Sequence, residues 1–202
     1  MSTLSTYLLA FMFSVYPVAS HAVEEPSDVT ERRYTMFAED VATAVSQPYV
    51  RALIGPLDAR EAHVRNETEA RALTGLVMLS TARHETSFIG WSMDCAAPEK
   101  GEVWDGDHGH SWGPFQTQRA RKRVCWSYLG AAGVALEMMH ESFHVTRGRP
   151  LDERLMEYTD GGRWMVERDS AIRERLTKKA AGRSRSRMGL ALRYWASHPF
   201  AE

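Results

Sequence analysis

The sequence has little net charge, only two cysteines, and no internal repeat or low-complexity tract. A formal net charge of -1 gives no reason to expect a nucleic-acid partner, because a phosphate backbone favours strongly basic proteins. The chain has 202 residues, of which 44% are hydrophobic and 25% charged. This composition excludes disordered and fibrous classes and predicts one globular domain with a sizeable core.

Charged side chains are missing from residues 1–22, which contain no Asp, Glu, Lys or Arg. This segment carries an apolar stretch at residues 7–13 and ends in Ser20-His21-Ala22, a small-x-small cleavage site, which predicts a secretory signal peptide. An uncleaved N-terminal anchor is the alternative, although roughly 13 apolar residues are few for a membrane span. We therefore expect an exported protein, periplasmic or secreted, with its domain at residues 23–202 and no membrane contact after cleavage.

The two cysteines, Cys95 and Cys125, are expected to form a disulfide, because an exported protein meets an oxidising compartment. The bond would close a loop of about 30 residues and stabilise the fold by roughly 3 to 4 kcal/mol. Two unpaired buried thiols are the alternative.

Apolar residues recur at helical spacing through most of the chain. Residues 34–47 predict a helix, and Asn66 followed by Glu69 resembles a capping box that opens a second, deeply buried helix ending near Arg83 or Glu85. Further helices are predicted at residues 131–145, 151–158, 164–180 and 184–197. Residues 90–118 are rich in glycine, proline and aromatic residues without helical period. The expected fold is mainly α, of α+β type: a helical domain with a small irregular or β lobe inserted after the central helix.

Glu85 closes the predicted buried helix at the point where the irregular lobe begins. Apolar surroundings favour the protonated form of a carboxylic acid, and a glutamic acid that stays protonated near neutral pH can donate a proton to a glycosidic oxygen. A cap or surface glutamate at a helix end is the alternative interpretation.

Two later segments follow Glu85: GDHGHSWGPFQTQ at residues 106–118 and EYTDGG at residues 157–162. Together with the helix that ends at Glu85, they resemble the lysozyme-like transglycosylase family, which includes goose-type lysozymes. In that family a helix ends in Glu-Ser, a Gly-x-x-Gln turn lines the cleft, and a Tyr-Asn-x-Gly segment closes it. The resemblance spans residues 66 to about 162, and it implies a lysozyme-like fold and cleavage of peptidoglycan glycan strands.

The resemblance implies roles for individual residues. Glu85 falls on the catalytic acid, and Gly113-Pro114-Phe115-Gln116 falls on the cleft turn. Gln116 is expected to hydrogen-bond the substrate or Glu85, and Tyr158 to place its hydroxyl near the acid. Thr86 stands where the family has serine, and Asp160-Gly161 departs from Asn-x-Gly.

The reaction depends on the number of carboxyl groups in the site. A transglycosylase needs one, because the acetamido group and the C6 hydroxyl of the substrate replace the nucleophile and the water, whereas inverting hydrolysis needs a second carboxylate about 6.5 to 9.5 Å away. Asp107 is the candidate, since its surroundings resemble the Gly-Asp-x-Gly-Asn stretch of goose-type lysozymes, although Gln118 replaces a further aspartate of those enzymes. Asp107 as a solvated turn residue is the alternative, so transglycosylase is the favoured reaction.

Aromatic residues surround the expected cleft. Trp112 and Phe115 are expected to offer flat apolar faces to sugar rings, whereas core filling is the favoured interpretation of Trp91 and Trp104. The expected partner is the glycan strand of peptidoglycan, bound by a monomer without a cofactor.

A competing motif, His140-Glu141-Ser142-Phe143-His144, matches His-Glu-x-x-His, which on a helix presents two imidazoles to zinc and a glutamate as base. The alternative function is therefore a zinc metalloprotease. Arg147 stands where a metzincin has glycine, and no third histidine follows at the required spacing, so no metal is expected. His84, His108 and His110 are expected to form local hydrogen bonds.

Residues 163–187 contain nine basic and three acidic residues. A solvated helical face is the favoured interpretation, and attraction to an anionic polymer of the cell envelope is the alternative.

Overall fold

The computed structural model describes residues 1–18, 25–88, 93, 95, 113–117 and 121–201. The protein is mainly helical, which confirms the predicted fold class. Most of the predicted lobe, and with it the prediction of irregular or β structure there, lies outside the described residues. The helices are α1 (Thr3–Val15), α2 (Ser27–Ser46), α3 (Pro56–Glu61), α4 (Glu67–Thr86), α5 (Arg121–Val124), α6 (Tyr128–Val145), α7 (Met156–Asp160), α8 (Arg163–Val166) and α9 (Ser170–Ser197).

The central helix is α4, which packs against α1, α2, α6 and α9. It begins as the sequence predicts, with the Asn66 side chain accepting a hydrogen bond from the Glu69 backbone N–H at 2.8 Å. The buried Glu69 carboxylate accepts the backbone N–H of Arg65 at 2.7 Å and also pairs with the Arg65 guanidinium. This cap fixes where α4 starts, and α4 carries Glu85 on its last turn.

Helix α1 is formed by part of the predicted signal peptide. Leu8, Phe11 and Met12 are fully buried against α2 and α4, and a Cβ on Gly75 of α4 would lie 2.9 Å from both terminal carbons of Leu8. Cleavage after Ala22 would remove this helix and expose the surfaces that it covers. The signal peptide itself stays a prediction, and the predicted cleavage site lies outside the described residues.

Helix α9 corrects the prediction of two helices, at residues 164–180 and 184–197. It is one helix, capped by the Asp169 side chain, which accepts the Ile172 N–H at 2.9 Å. The predicted break is wrong because a buried stripe continues through it at spacings of three and four residues: Ala180, Ala181, Ser184, Met188, Ala191 and Trp195. Gly182 lies on the exposed side, where its low helix propensity is outweighed by this packing.

The start of α2 and the pairing of the cysteines can also be compared with the predictions. Helix α2 begins earlier than predicted, at Ser27, because its buried stripe already includes Thr30, whose hydroxyl donates to Glu25 at 2.8 Å. The predicted cysteine pair is brought together: the Cα atoms of Cys95 and Cys125 lie 5.6 Å apart and their sulfur atoms 2.20 Å apart. Among the described residues no helix has both the length and the apolar character of a membrane span.

Candidate active site

Glu85 lies on the last turn of α4, and its side chain is 22% exposed. The helix ends at the next residue, and Ser87 adopts a left-handed conformation with φ 51°, its N–H donating to the Arg83 carbonyl at 2.9 Å. A carboxylate at a helix C-terminus faces the negative end of the macrodipole, so it needs a cationic partner. The structure therefore places Glu85 at the edge of the core, partly open to solvent.

That partner is Arg187 of α9, which the sequence analysis did not single out. Its Nε and Nη2 both donate to Oε1 of Glu85, at 3.1 and 2.5 Å, and its third nitrogen, Nη1, donates to the Arg183 carbonyl at 3.1 Å. The side chain of Arg187 is 11% exposed. Among the described residues, Oε2 of Glu85 accepts no hydrogen bond, so the arginine engages only one of the two carboxylate oxygens.

Two hydrogen bonds hold α9 against α4 beside this ion pair. The Ser80 hydroxyl donates to the Arg187 backbone carbonyl at 2.6 Å. His84 Nδ1 lies 2.8 Å from the Ser80 carbonyl and Nε2 lies 2.9 Å from the Ser186 hydroxyl, which fits a neutral ring that donates through Nδ1 and accepts through Nε2. Burial lowers the pKa of His84, and the charges of Arg187 and Arg83 act in the same direction. The hydrogen bond to the Ser80 carbonyl raises this pKa. His84 thus forms one local hydrogen bond, to Ser80, and one to Ser186 of the distant helix α9.

Tyr158, on α7, lies within the electrostatic influence of Glu85. Burial first, and then the Glu85 charge, raise the pKa of the Tyr158 hydroxyl well above its usual range, while Arg187 acts in the opposite direction. The hydroxyl donates to the backbone carbonyl of Phe115 at 2.9 Å, and the Tyr158 N–H donates to the Ser142 hydroxyl at 3.1 Å. Tyr158 is therefore a fixed hydrogen-bond donor that links α7 to the turn at residues 113–117.

The turn at residues 113–117 is shaped by Gly113. Its φ is +66°, and a Cβ there would lie 2.6 Å from a methyl carbon of Val124, so both the conformation and the space require glycine. The Gln116 backbone N–H and side-chain Nε2 donate to the Gly113 carbonyl at 3.1 and 3.0 Å. Among the described residues no hydrogen bond joins Gln116 to Glu85, and contact of Gln116 with substrate stays a prediction.

Phe115 requires a second correction. Its side chain is 1% exposed and packs against Phe37 with ring centroids 5.6 Å apart. A ring enclosed in the core has no free face for a sugar, so the interpretation of Phe115 as a substrate platform is wrong. It contributes to the site through its backbone carbonyl, which accepts the Tyr158 hydroxyl.

Other predicted site residues lie outside the described residues. Asp107 and Trp112 are among them, together with Trp91, Trp104, His108 and His110. Their predicted roles therefore stay predictions.

The His-Glu-x-x-His motif lies on α6. His140 Nε2 lies 3.0 Å from the Arg51 carbonyl, to which it donates, and burial lowers its pKa. His144 is exposed. In the part of the chain that the structure describes, no three His, Cys, Asp or Glu side chains form a group that could hold a metal ion.

A cavity of about 440 Å³ lies between α2 and residues 124–128 and is lined by residues that include Arg32, Met36, Tyr128 and the exposed Trp126. None of Glu85, Arg187 or Tyr158 lines it. Glu85 therefore lies apart from this cavity.

Glu85, Arg187, Tyr158 and the 113–117 turn come from four separate segments of the chain. A half-buried acid needs a cationic partner, and the predicted basic helix after residue 163 is the segment that offers one. That signal would have identified Arg187. No protein-family model, curated protein or solved structure matches this chain.

Proposed function

We propose that the protein is an exported, lysozyme-like enzyme that cleaves the glycan strand of peptidoglycan. The bond broken is the β-1,4 bond between N-acetylmuramic acid and N-acetylglucosamine, and Glu85 is the general acid and then the general base. The lytic transglycosylase reaction is favoured because it requires a single carboxyl. A disulfide and the lack of a spanning helix among the described residues are compatible with export, and the periplasm or the surrounding medium is the proposed location.

One observation supports this proposal: Tyr158 donates its hydroxyl to the Gly113–Thr117 turn, and that turn packs through Phe115 against Phe37, which also contacts Phe88 just beyond Glu85. These are the three segments that resemble the acid, the closing tyrosine and the cleft turn of lysozyme-like transglycosylases. They are far apart in the sequence, and their convergence at one end of α4 was a requirement of the hypothesis. This convergence supports the assignment of Glu85 as the catalytic acid.

The proposed chemistry uses the substrate's own groups. Protonated Glu85 gives its proton to the glycosidic oxygen while the acetamido oxygen of the muramic acid ring attacks C1 and the glycosidic bond breaks. The Glu85 carboxylate then takes the proton of the C6 hydroxyl, whose oxygen attacks C1; the bond between C1 and the acetamido oxygen breaks, which restores the acetamido group and gives a 1,6-anhydro sugar. In hydrolysis, water replaces the C6 hydroxyl in this second step. No cofactor takes part, and the enzyme acts as a monomer.

The experiment is digestion of purified peptidoglycan by the wild type and by Glu85→Gln, with mass spectrometry of the released muropeptides. We expect soluble products from the wild type, lighter by one water than their hydrolytic counterparts, and a loss of at least about 100-fold with Glu85→Gln. Products with a reducing end would favour hydrolysis. Binding to sacculi without any soluble product from the wild type would contradict the proposal.

A matched control tests the zinc alternative in the same assay. Glu141→Gln removes an acid of the same type from the exposed side of α6, and a chelator removes zinc. We expect both to leave the digestion unchanged. Loss of activity with chelator and with Glu141→Gln would instead identify a metalloenzyme.

A further inference from the structure

All three nitrogens of the Arg187 guanidinium donate hydrogen bonds. Two of its nitrogens donate to Oε1, and the third donates to the Arg183 carbonyl one turn earlier in α9. Oε2 accepts no hydrogen bond from the described residues. The two oxygens of Glu85 are therefore unlike: Arg187 binds Oε1, whereas no described residue binds Oε2.

We infer that Arg187 is a positioning residue for the general acid, holding Oε1 so that Oε2 carries the transferred proton. This inference rests on the proposed function. Oε2 gives its proton to the glycosidic oxygen in the first step and takes a proton from the C6 hydroxyl in the second, while Oε1 stays bonded to Arg187. No proton passes to or from the guanidinium, which stays charged throughout.

The geometry explains why an arginine occupies this position. A side chain that is 11% exposed and bonded through all three nitrogens has little rotational freedom, so the carboxyl that it holds is fixed as well. Fixing a reacting group before the reaction lowers the barrier, because no orientation has to be found in the transition state. A lysine offers one nitrogen and cannot contact both Oε1 and the Arg183 carbonyl in the same planar arrangement.

The backbone of Arg187 is held independently of its side chain. The Ser80 hydroxyl donates to its carbonyl, and His84 hydrogen-bonds the neighbouring Ser186. Loss of the guanidinium is therefore expected to leave α9 in place on α4. This separates a positioning role from a purely structural one.

The test compares Arg187→Ala, Arg187→Lys and Arg185→Ala with the wild type on soluble, uncross-linked glycan strands. Arg185 is the control because it lies on the same helix and forms an ion pair with Glu153 at 2.7 Å, and its side chain is 51% exposed. We expect Arg187→Ala to lower kcat by about 100-fold with KM within about threefold, and Arg187→Lys to recover about tenfold of that loss. Arg185→Ala is expected to stay within about twofold of the wild type.

Two further measurements make the outcome decisive. In the Glu85→Gln background, Arg187→Ala is expected to cause no additional loss, because a residue that acts through Glu85 has nothing left to position. Urea unfolding of each variant gives the folded fraction by which kcat is corrected. A corrected kcat for Arg187→Ala equal to that of Arg185→Ala overturns the inference, as does a loss that the Glu85→Gln background leaves undiminished.

The same data distinguish failure of the inference from failure of the proposed function. If Glu85→Gln loses activity while Arg187→Ala is as active as Arg185→Ala, the proposed function stands and only the inference fails. If the wild type cleaves no glycan strand, or Glu85→Gln stays active, both fail.

Discussion

Replacement of Gly75 by alanine tests how the N-terminal helix is packed. In an ordinary helix interior this substitution stabilises a protein by about 1 kcal/mol, because alanine has the higher helix propensity. Here the new Cβ would lie 2.9 Å from both terminal carbons of Leu8, a side chain with no solvent exposure. Overpacking of this kind destabilises by about 1 to 3 kcal/mol, so we expect a net loss of about 1 kcal/mol for Gly75→Ala.

The contact predicts a change of sign when Leu8 is shortened. Leu8→Ala alone should destabilise by roughly 3 kcal/mol through the cavity that it leaves. In that background the clash is absent, so Gly75→Ala should stabilise by about 1 kcal/mol. The coupling energy between the two positions is then about 2 kcal/mol, well above the scatter of independent sites.

The assay is urea unfolding of the uncleaved chain, residues 1–202, for the four members of the cycle, monitored by far-ultraviolet circular dichroism. Gly182→Ala serves as the control, because Gly182 lies inside α9 and a Cβ there would meet nothing within 4 Å. Gly182→Ala should stabilise the protein in both the wild-type and the Leu8→Ala backgrounds. If Gly75→Ala behaves like Gly182→Ala in both backgrounds, α1 does not cover α4 in solution, and the packing described for it is refuted.

Two further predictions concern covalent and protonation equilibria. The Cys95→Ser/Cys125→Ser variant should unfold with a free energy lower by roughly 3 to 4 kcal/mol, because it loses a bond that closes a 30-residue separation; equal urea midpoints with and without reductant would argue against the bond. Because burial lowers the pKa of both His84 and His140 from 6.5, the unfolded chain binds protons first as the pH falls, so stability should decline below about pH 6.5. Urea unfolding at pH 7.5 and 5.5 should show this decline in the wild type, and a His84→Gln/His140→Gln variant should show less of it.

Local features of the fold are predictable from the amino-acid sequence alone. The start of α4 follows from Asn66 and Glu69 because a capping interaction spans three residues and needs no distant partner. The stop after α7 follows in the same way from Gly161 and Gly162, both with positive φ. The sequence also placed Glu85 at the end of a buried helix, which is a property of one continuous segment.

Other features depend on which surfaces pack together, and contacts between distant segments of the chain set them. The predicted break in α9 is absent because packing against α4 outweighs one exposed glycine, and propensity near residues 181–183 carries no information about that packing. Phe115 is a core residue because α2 presents Phe37 to it. Arg187 is the partner of Glu85 because α9 crosses the end of α4 there. The residues next to a position in the sequence determine whether it forms a helix or a turn. The charged group or aromatic ring that its side chain contacts comes from a distant segment. Patterns in a single sequence do not encode such contacts.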